Sequence, residues 1–256
     1  MKKTVLFCVT LCVLCACATM PTQAAARTYG WYCAHVKGHA QPPIGSDVAF
    51  VEELDGYYID HRSDERVIYL TFDAGYENGN VAKTLDVLKE ENVTAAFFIL
   101  GNLITHDTDL VKRMVNEGHT VCNHTARHKD MSTWSDEAFL EELHALEALF
   151  SEHIGAEMAA YYRPPEGRFS RENLVCAQKN GYKTVFWSFA YPDWDNGKQM
   201  SPERAKQIIL DNVHNGEVML LHPTSQTNAA ILGDVIRELK AQGYRFGTLD
   251  ELTGQA

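Results

Sequence analysis

The chain has no Gly-x-Gly-x-x-Gly fingerprint and no P-loop, so neither familiar backbone cradle for a nucleotide phosphate is present. It has no low-complexity tract. Basic residues are in deficit: 23 Lys and Arg stand against 34 Asp and Glu, a formal charge of −11. Nucleic acid, which needs a basic face, is set aside as a partner. Cysteine looks plentiful at seven, but Cys8, Cys12, Cys15 and Cys17 fall close to the N-terminus. The body keeps Cys33, Cys122 and Cys176, an odd set that argues against a disulfide framework. Nor is the apolar run from Thr4 to Ala18, about 15 residues, long enough to cross a bilayer comfortably.

That run follows Lys2 and Lys3 and leads to small residues ending in Ala24-Ala25-Ala26, the pattern of a secretory signal peptide over residues 1–26. A lipoprotein signal with a lipidated Cys17 and a retained membrane anchor are the alternatives. The membrane is then met only through such a lipid or anchor, and the expected location is secreted or envelope-associated. Without Lys2 and Lys3 the balance is 23 − 2 = 21 basic against 34 acidic residues, or −13. An anionic polymer would have to be recognised by local groups.

At 256 residues, 45% hydrophobic and 22% charged, the chain can build one sizeable α/β domain with a full core. Residues 27–65 form a lead-in rich in Gly, Pro, Tyr and acidic side chains, read as an extended arm packed on the domain. Apolar runs follow at 67–72, 95–100, 119–123, 160–163, 183–189, 217–222 and 244–248. Amphipathic stretches separate them, at 79–91, 106–117, 135–153, 201–214 and 227–242. Ser201-Pro202-Glu203 is a helix start, with a capping hydroxyl and a proline at the first helical position. Repeated βα units predict a parallel sheet over 66–252, a distorted (β/α) barrel of about seven parallel strands. A flat doubly wound sheet is the alternative.

Polar residues recur at the carboxyl ends of these runs. Asp73 closes the first, His124 the third, Arg163 the fourth and His222 the sixth; Asp193 and Trp194 follow the fifth. In a βα barrel those ends meet at one face, where active sites form. His124 and His128, with three residues between them, suit a shared metal ion. Asp73 supplies a carboxylate for base chemistry and His222 an imidazole for acid chemistry. Taken singly, Asp73 also reads as an Asx turn or a helix cap. Arg163-Pro164-Pro165 reads as a stiff turn that presents an arginine to a carboxylate, with backbone N–H groups facing the site. Trp194 between Asp193 and Asp195 suits stacking on a sugar ring. His222 would be costly to bury alone, and Asp193 is its expected partner.

In this order, Thr71-Phe72-Asp73, His124-x-x-x-His128, Arg163-Pro164-Pro165, Asp193-Trp194 and Leu220-x-His222 resemble the motifs of NodB-type polysaccharide deacetylases, carbohydrate esterase family four. The resemblance runs from about Val67 to Leu252. Tyr76-Glu77-Asn78-Gly79 and Leu221-His222-Pro223-Thr224-Ser225 are most similar to the delta-lactam branch, which deacetylates N-acetylmuramic acid in spore-cortex peptidoglycan. The resemblance implies a secreted, metal-assisted amide hydrolase acting on peptidoglycan glycan strands. It implies Asp73 as base, His124 and His128 as ligands of a divalent metal (zinc or similar) and Arg163 as the group orienting Asp73. His222 becomes the acid tuned by Asp193, and Leu220 a wall of the acetate pocket. The family's usual second aspartate is Ala74 here, so the metal is expected to be weakly held. Glu166 and Trp194 are expected at the substrate, and Arg168 or Arg127 at the lactyl carboxylate of muramic acid. The other readings are a deacetylase of N-acetylglucosamine or another polysaccharide, and a wall-binding pseudoenzyme.

Overall fold

The computed structural model describes residues 27–62 and 65–255. The expected signal peptide over 1–26, with its lipid and anchor alternatives, lies outside the described residues. Among the described residues no helix is long and apolar enough to cross a membrane.

The lead-in contributes Thr28–Gly30 (β1) and Gly56–Tyr57 (β2). Then follow Val67–Ala74 (β3), Val81–Glu90 (α1), Ala96–Ile99 (β4), Gly101–His106 (α2), Thr108–Asn116 (α3), Thr120–Asn123 (β5) and Asp136–Ile154 (α4). The second half comprises Ala159–Tyr162 (β6), Arg168–Ser170 (β7), Arg171–Lys179 (α5), Lys183–Val185 (β8), Pro202–Asn212 (α6), Glu217–Leu221 (β9), Gln226–Ala241 (α7), Arg245–Phe246 (β10) and Leu249–Thr253 (α8). All seven expected strands are present. They form as near-continuous apolar runs because a parallel sheet is covered on both faces; in β3 every position but Asp73 is buried.

Every pairing along β10-β3-β4-β5-β6-β8 is parallel, and β9 pairs parallel to β3. Between β8 and β9 the ring is held by one parallel bridge, Phe189 to Met219. The lead-in occupies the rest of that seam. β2 pairs parallel with β8, and Ile59 bridges Glu217 at the start of β9. Gly216 permits this approach: with φ of +72°, an added Cβ would lie 2.1 Å from the Asp60 carbonyl oxygen. The sheet is therefore the expected distorted barrel, with an eighth strand supplied by the lead-in.

Alternation along the strands sorts the core into two layers. Ile68, Leu70, Phe72, Phe97 and Ile99 face the helices. Val67, Tyr69, Phe98, Cys122, Tyr161, Val185 and Val218 form a separate cluster with Leu249 and Leu252 of α8. These second residues point along the barrel axis, because successive strand side chains take opposite faces. Two positions on from Cys122, Tyr161 and Val218 lie His124, Arg163 and Leu220, and four on from Tyr69 lies Asp73, so the same register that fills the barrel carries them to its open end.

The helices start where capping chemistry allows. Ser135, Ser201 and Ser225 accept from the backbone N–H three residues on, and Ser170 and Asn173 form a capping box for α5. Three helices depart from the expected set, the short α8 among them. The segment at 106–117 is preceded by a separate helix α2, broken from α3 at Asp107. Helix α5 has no counterpart among the expected amphipathic stretches, because its buried face is partly small or polar: Asn173, Cys176 and Ala177 beside Leu174.

Candidate active site

Arg163 is the centre of the open end. It is fully buried, and every contact it makes fixes it. Nε donates to the Val185 carbonyl (2.9 Å), and Nη2 to Thr71 Oγ1 (3.0 Å) and the Phe186 carbonyl (3.1 Å). The guanidinium carbon lies 4.0 Å from the Phe98 ring centroid, and Nη1 donates to Asp73 Oδ1 at 2.8 Å. The expected carboxylate partner of the arginine is thus the protein's own Asp73. An unpaired guanidinium at this depth would be very costly, so the pair is mutually required.

The second oxygen of Asp73 lies 3.5 Å from His124 Nε2. Burial pushes the Asp73 carboxyl up, but His124, Arg163 and His222 pull more strongly, and its affinity for a proton ends below the ordinary carboxylate range. His124 Nδ1–H donates to the Arg163 carbonyl at 2.9 Å, which fixes the tautomer with the Nε2 lone pair toward Asp73. Burial, aided by the neighbouring His128 and opposed by Asp73, brings the His124 pKa down to about 4. The ring is therefore neutral near neutral pH, as a ligand must be.

His128 reaches the same place through a strained loop. Thr125 (φ 72°) and His128 (φ 54°) both adopt the left-handed conformation. The loop is held by Thr125 N–H on Asn123 Oδ1 (2.9 Å) and His128 N–H on Thr125 Oγ1 (2.9 Å). The outcome is an edge-on pair of imidazoles with centroids 4.9 Å apart. Strain held in this way is typical of functional loops. Among the described residues no three His, Cys, Asp or Glu side chains are grouped to hold a metal ion. Ala74, buried beside Asp73 and lining the same cleft, offers no ligating atom. The oriented lone pair of His124 beside His128 fits a divalent ion whose remaining positions are open to water or substrate oxygen.

Across the cleft, His222 follows β9. Its Nδ1–H and its backbone N–H donate to the two oxygens of Asp193, both at 2.7 Å. Asp193, the expected partner, is buried. Burial alone would lower the imidazole pKa, but Asp193, with help from Asp73, raises it above the ordinary value. Two supports of this pair lay beyond the sequence expectations. Asn228 in α7 donates to Asp193 Oδ2 (2.6 Å) and to the His222 carbonyl (3.1 Å). Tyr191 OH donates in turn to Asn228 Oδ1. A buried asparagine amid the apolar face of α7 was the available signal.

Asp73, His124, His128 and His222 line one cleft of about 710 Å³, together with Glu166, Leu220, Trp187 and Trp194. Trp194 is 59% exposed and edge-on to His222, with ring centroids 6.3 Å apart. Glu166 sits in the turn after Pro165 with φ of 55°. Two expected residues do not line the cleft. Arg127 is drawn to Glu142, whose carboxylate is fully buried; it donates from Nε at 2.8 Å and from Nη2, and its backbone N–H also donates. Arg168 lies just outside, beside Glu166 and Asp130.

A family model for polysaccharide deacetylases matches residues 60–185. The chain is 36% identical over 250 residues to the peptidoglycan-N-acetylmuramic acid deacetylase PdaA of Bacillus subtilis, covering 94% of this chain and 95% of that protein. It is 33% identical over 196 residues to a peptidoglycan-N-acetylglucosamine deacetylase of Bacillus cereus, covering 74% and 89%. The solved structure of Bacillus subtilis PdaA, a family 4 carbohydrate esterase, superposes with a TM-score of 0.85 at 37% identity, over 89% of this chain and 97% of that one. With the ordered motifs gathered at one barrel mouth, the chain belongs to the polysaccharide deacetylases of carbohydrate esterase family 4.

Proposed function

We propose that the protein hydrolyses the N-acetyl group of N-acetylmuramic acid in peptidoglycan. The observation that carries the hydrolase reading is the opposition of two tuned groups over one cleft: Asp73 held ionised by Arg163, and His222 held protonated by Asp193. Groups whose environments push their acidities apart divide naturally into base and acid. The muramic-acid assignment is supported by the similarity to PdaA over nearly the whole of both chains.

In this reading Asp73 accepts the proton of the attacking water, and Arg163 prevents the carboxylate from turning away. Bond formation to the acetamide carbon leaves a tetrahedral centre. The imidazolium of His222 gives its Nε2 proton to the nitrogen, the C–N bond breaks, and acetate and a free amine depart. A divalent ion held by His124 and His128 would supply polarisation of the carbonyl and acidification of the water. Leu220 gives the acetyl methyl an apolar wall, and Trp194 offers a ring face to the pyranose. The backbone N–H of Glu166 is the donor assigned to the developing oxyanion, since Gly167 and Arg168 spend theirs on the Pro164 and Pro165 carbonyls. The leader over 1–26 would export the chain to its substrate, the glycan strands of the wall. The product amine beside the lactyl carboxylate is the chemical precursor of a muramic delta-lactam.

Acetate release from defined muropeptides with zinc present is the direct test. Release from wild type and its loss in Asp73→Asn are expected; no release from any N-acetylated glycan overturns the reading.

A further inference from the structure

The lip of the cleft carries an ion pair that the reaction does not use. Arg168 Nε lies 3.4 Å from Glu166 Oε2, and Nη1 lies 3.7 Å from Asp130 Oδ2. Both partners of the closer contact are open to solvent, Arg168 at 51% and Glu166 at 65%. Glu166 lines the cleft, and no Lys or Arg does so among the described residues. Glu166 also occupies a left-handed conformation, in which a glutamate has no intrinsic preference. Pro164 and Pro165 before it and Gly167 after it hold the turn in that shape.

We propose that Glu166 and Arg168 form an exchangeable carboxylate reader. The carboxylate of an amino sugar bearing a 3-O-lactyl ether displaces Glu166 from the Arg168 guanidinium, and Glu166 occupies that guanidinium when the sugar is absent or neutral. The inference rests on the deacetylase reading above and gives it a specificity device.

Magnitudes decide between the two arginines that the sequence offers for this task. A solvent-exposed pair is worth at most about fivefold in an equilibrium constant, so Arg168 changes partner at little cost. Removing Arg127 from Glu142 would leave a fully buried carboxylate unpaired, a penalty on the order of 10²–10³-fold. Arg127 therefore stays where it is. The planar fork of Arg168 suits a carboxylate, whether from glutamate or from a lactyl group. The net charge of −11 repels an anionic sugar overall, so a local cation at the lip has a clear task.

The test uses two matched oligosaccharides, with and without the lactyl ether, and the ratio of their kcat/KM values. Arg168→Ala should lower the lactyl-to-neutral ratio by up to about fivefold. Glu166→Gln should raise it, because the guanidinium loses its resident anion. Arg127→Ala should leave the ratio alone while lowering the melting temperature. Unchanged ratios in both Arg168→Ala and Glu166→Gln, with normal turnover, overturn the inference and leave the deacetylase reading standing. Equilibrium binding of the same sugars separates the converse case. Lactyl-selective binding that needs Arg168, without acetate release, supports the reader and overturns the deacetylase reading.

Discussion

Asp193→Asn removes the charge that keeps His222 protonated. Three hydrogen bonds converge on the Asp193 carboxylate: His222 Nδ1 and the His222 backbone N–H, both at 2.7 Å, and Asn228 Nδ2 at 2.6 Å. Burial works against an imidazolium at this place, and Asp193 is the main influence that reverses it. Without the charge, burial wins and the imidazole pKa falls below its ordinary value. The acid form is then scarce at neutral pH, and the alkaline limb of the kcat profile moves to lower pH. Loss of general-acid catalysis lowers kcat by about 10²–10⁴-fold. The stability consequence has a definite sign. A histidine whose folded pKa is raised contributes stability that is full below its unfolded pKa and fades as pH rises through the folded value. Wild type should show that decline and Asp193→Asn should lack it. The amide also turns donors toward Asn228 Nδ2 or the His222 N–H, at a cost of about 1–3 kcal/mol. Acetate release and thermal unfolding, each followed across pH, read both effects. A slower variant whose alkaline limb has not moved would refute the assignment of His222 as acid.

Asp73→Asn should lower kcat by about 10²–10⁴-fold through loss of the base. It should also destabilise the fold by up to about 3–5 kcal/mol, because the fully buried Arg163 loses its carboxylate; near-normal turnover or an unchanged melting temperature would contradict one half each. Ala74→Asp should tighten zinc binding in a calorimetric titration, since a third ligand completes the usual set. Without metal the same variant should melt lower, because two carboxylates then crowd one buried site. Equal zinc affinity in both proteins would mean that another group already fills that place.

The strands were legible because a parallel sheet buries both faces of each strand, so β3 and β9 stand out as near-continuous apolar runs. Their ends were legible for a related reason. A run of side chains along the barrel axis must stop at solvent, and Asp73 and His222 are where it stops. The lead-in strands were not legible. β1 and β2 are three and two residues long and exist only through distant partners, β7 and β8. Helix α5 hid behind Asn173, Cys176 and Ala177, which bury well without looking apolar as a stripe. The support from Asn228 was hidden for the opposite reason, as a polar residue within a buried helix face. Arg127 stood next to the histidine motif and read as a substrate ligand. Only the fold brings Glu142, fifteen residues further along, into the position that claims it.

The central claim is that the Asp73–His222 cleft removes acetyl from muramic acid. Mass spectrometry of glycan strands before and after treatment with the zinc-loaded protein tests it most directly. The account predicts loss of one acetyl group, assigned by fragmentation to the residue that carries the lactyl ether, in wild type and not in Asp73→Asn. Acetyl loss confined to glucosamine residues, or strands returned with every acetyl group in place, would contradict it.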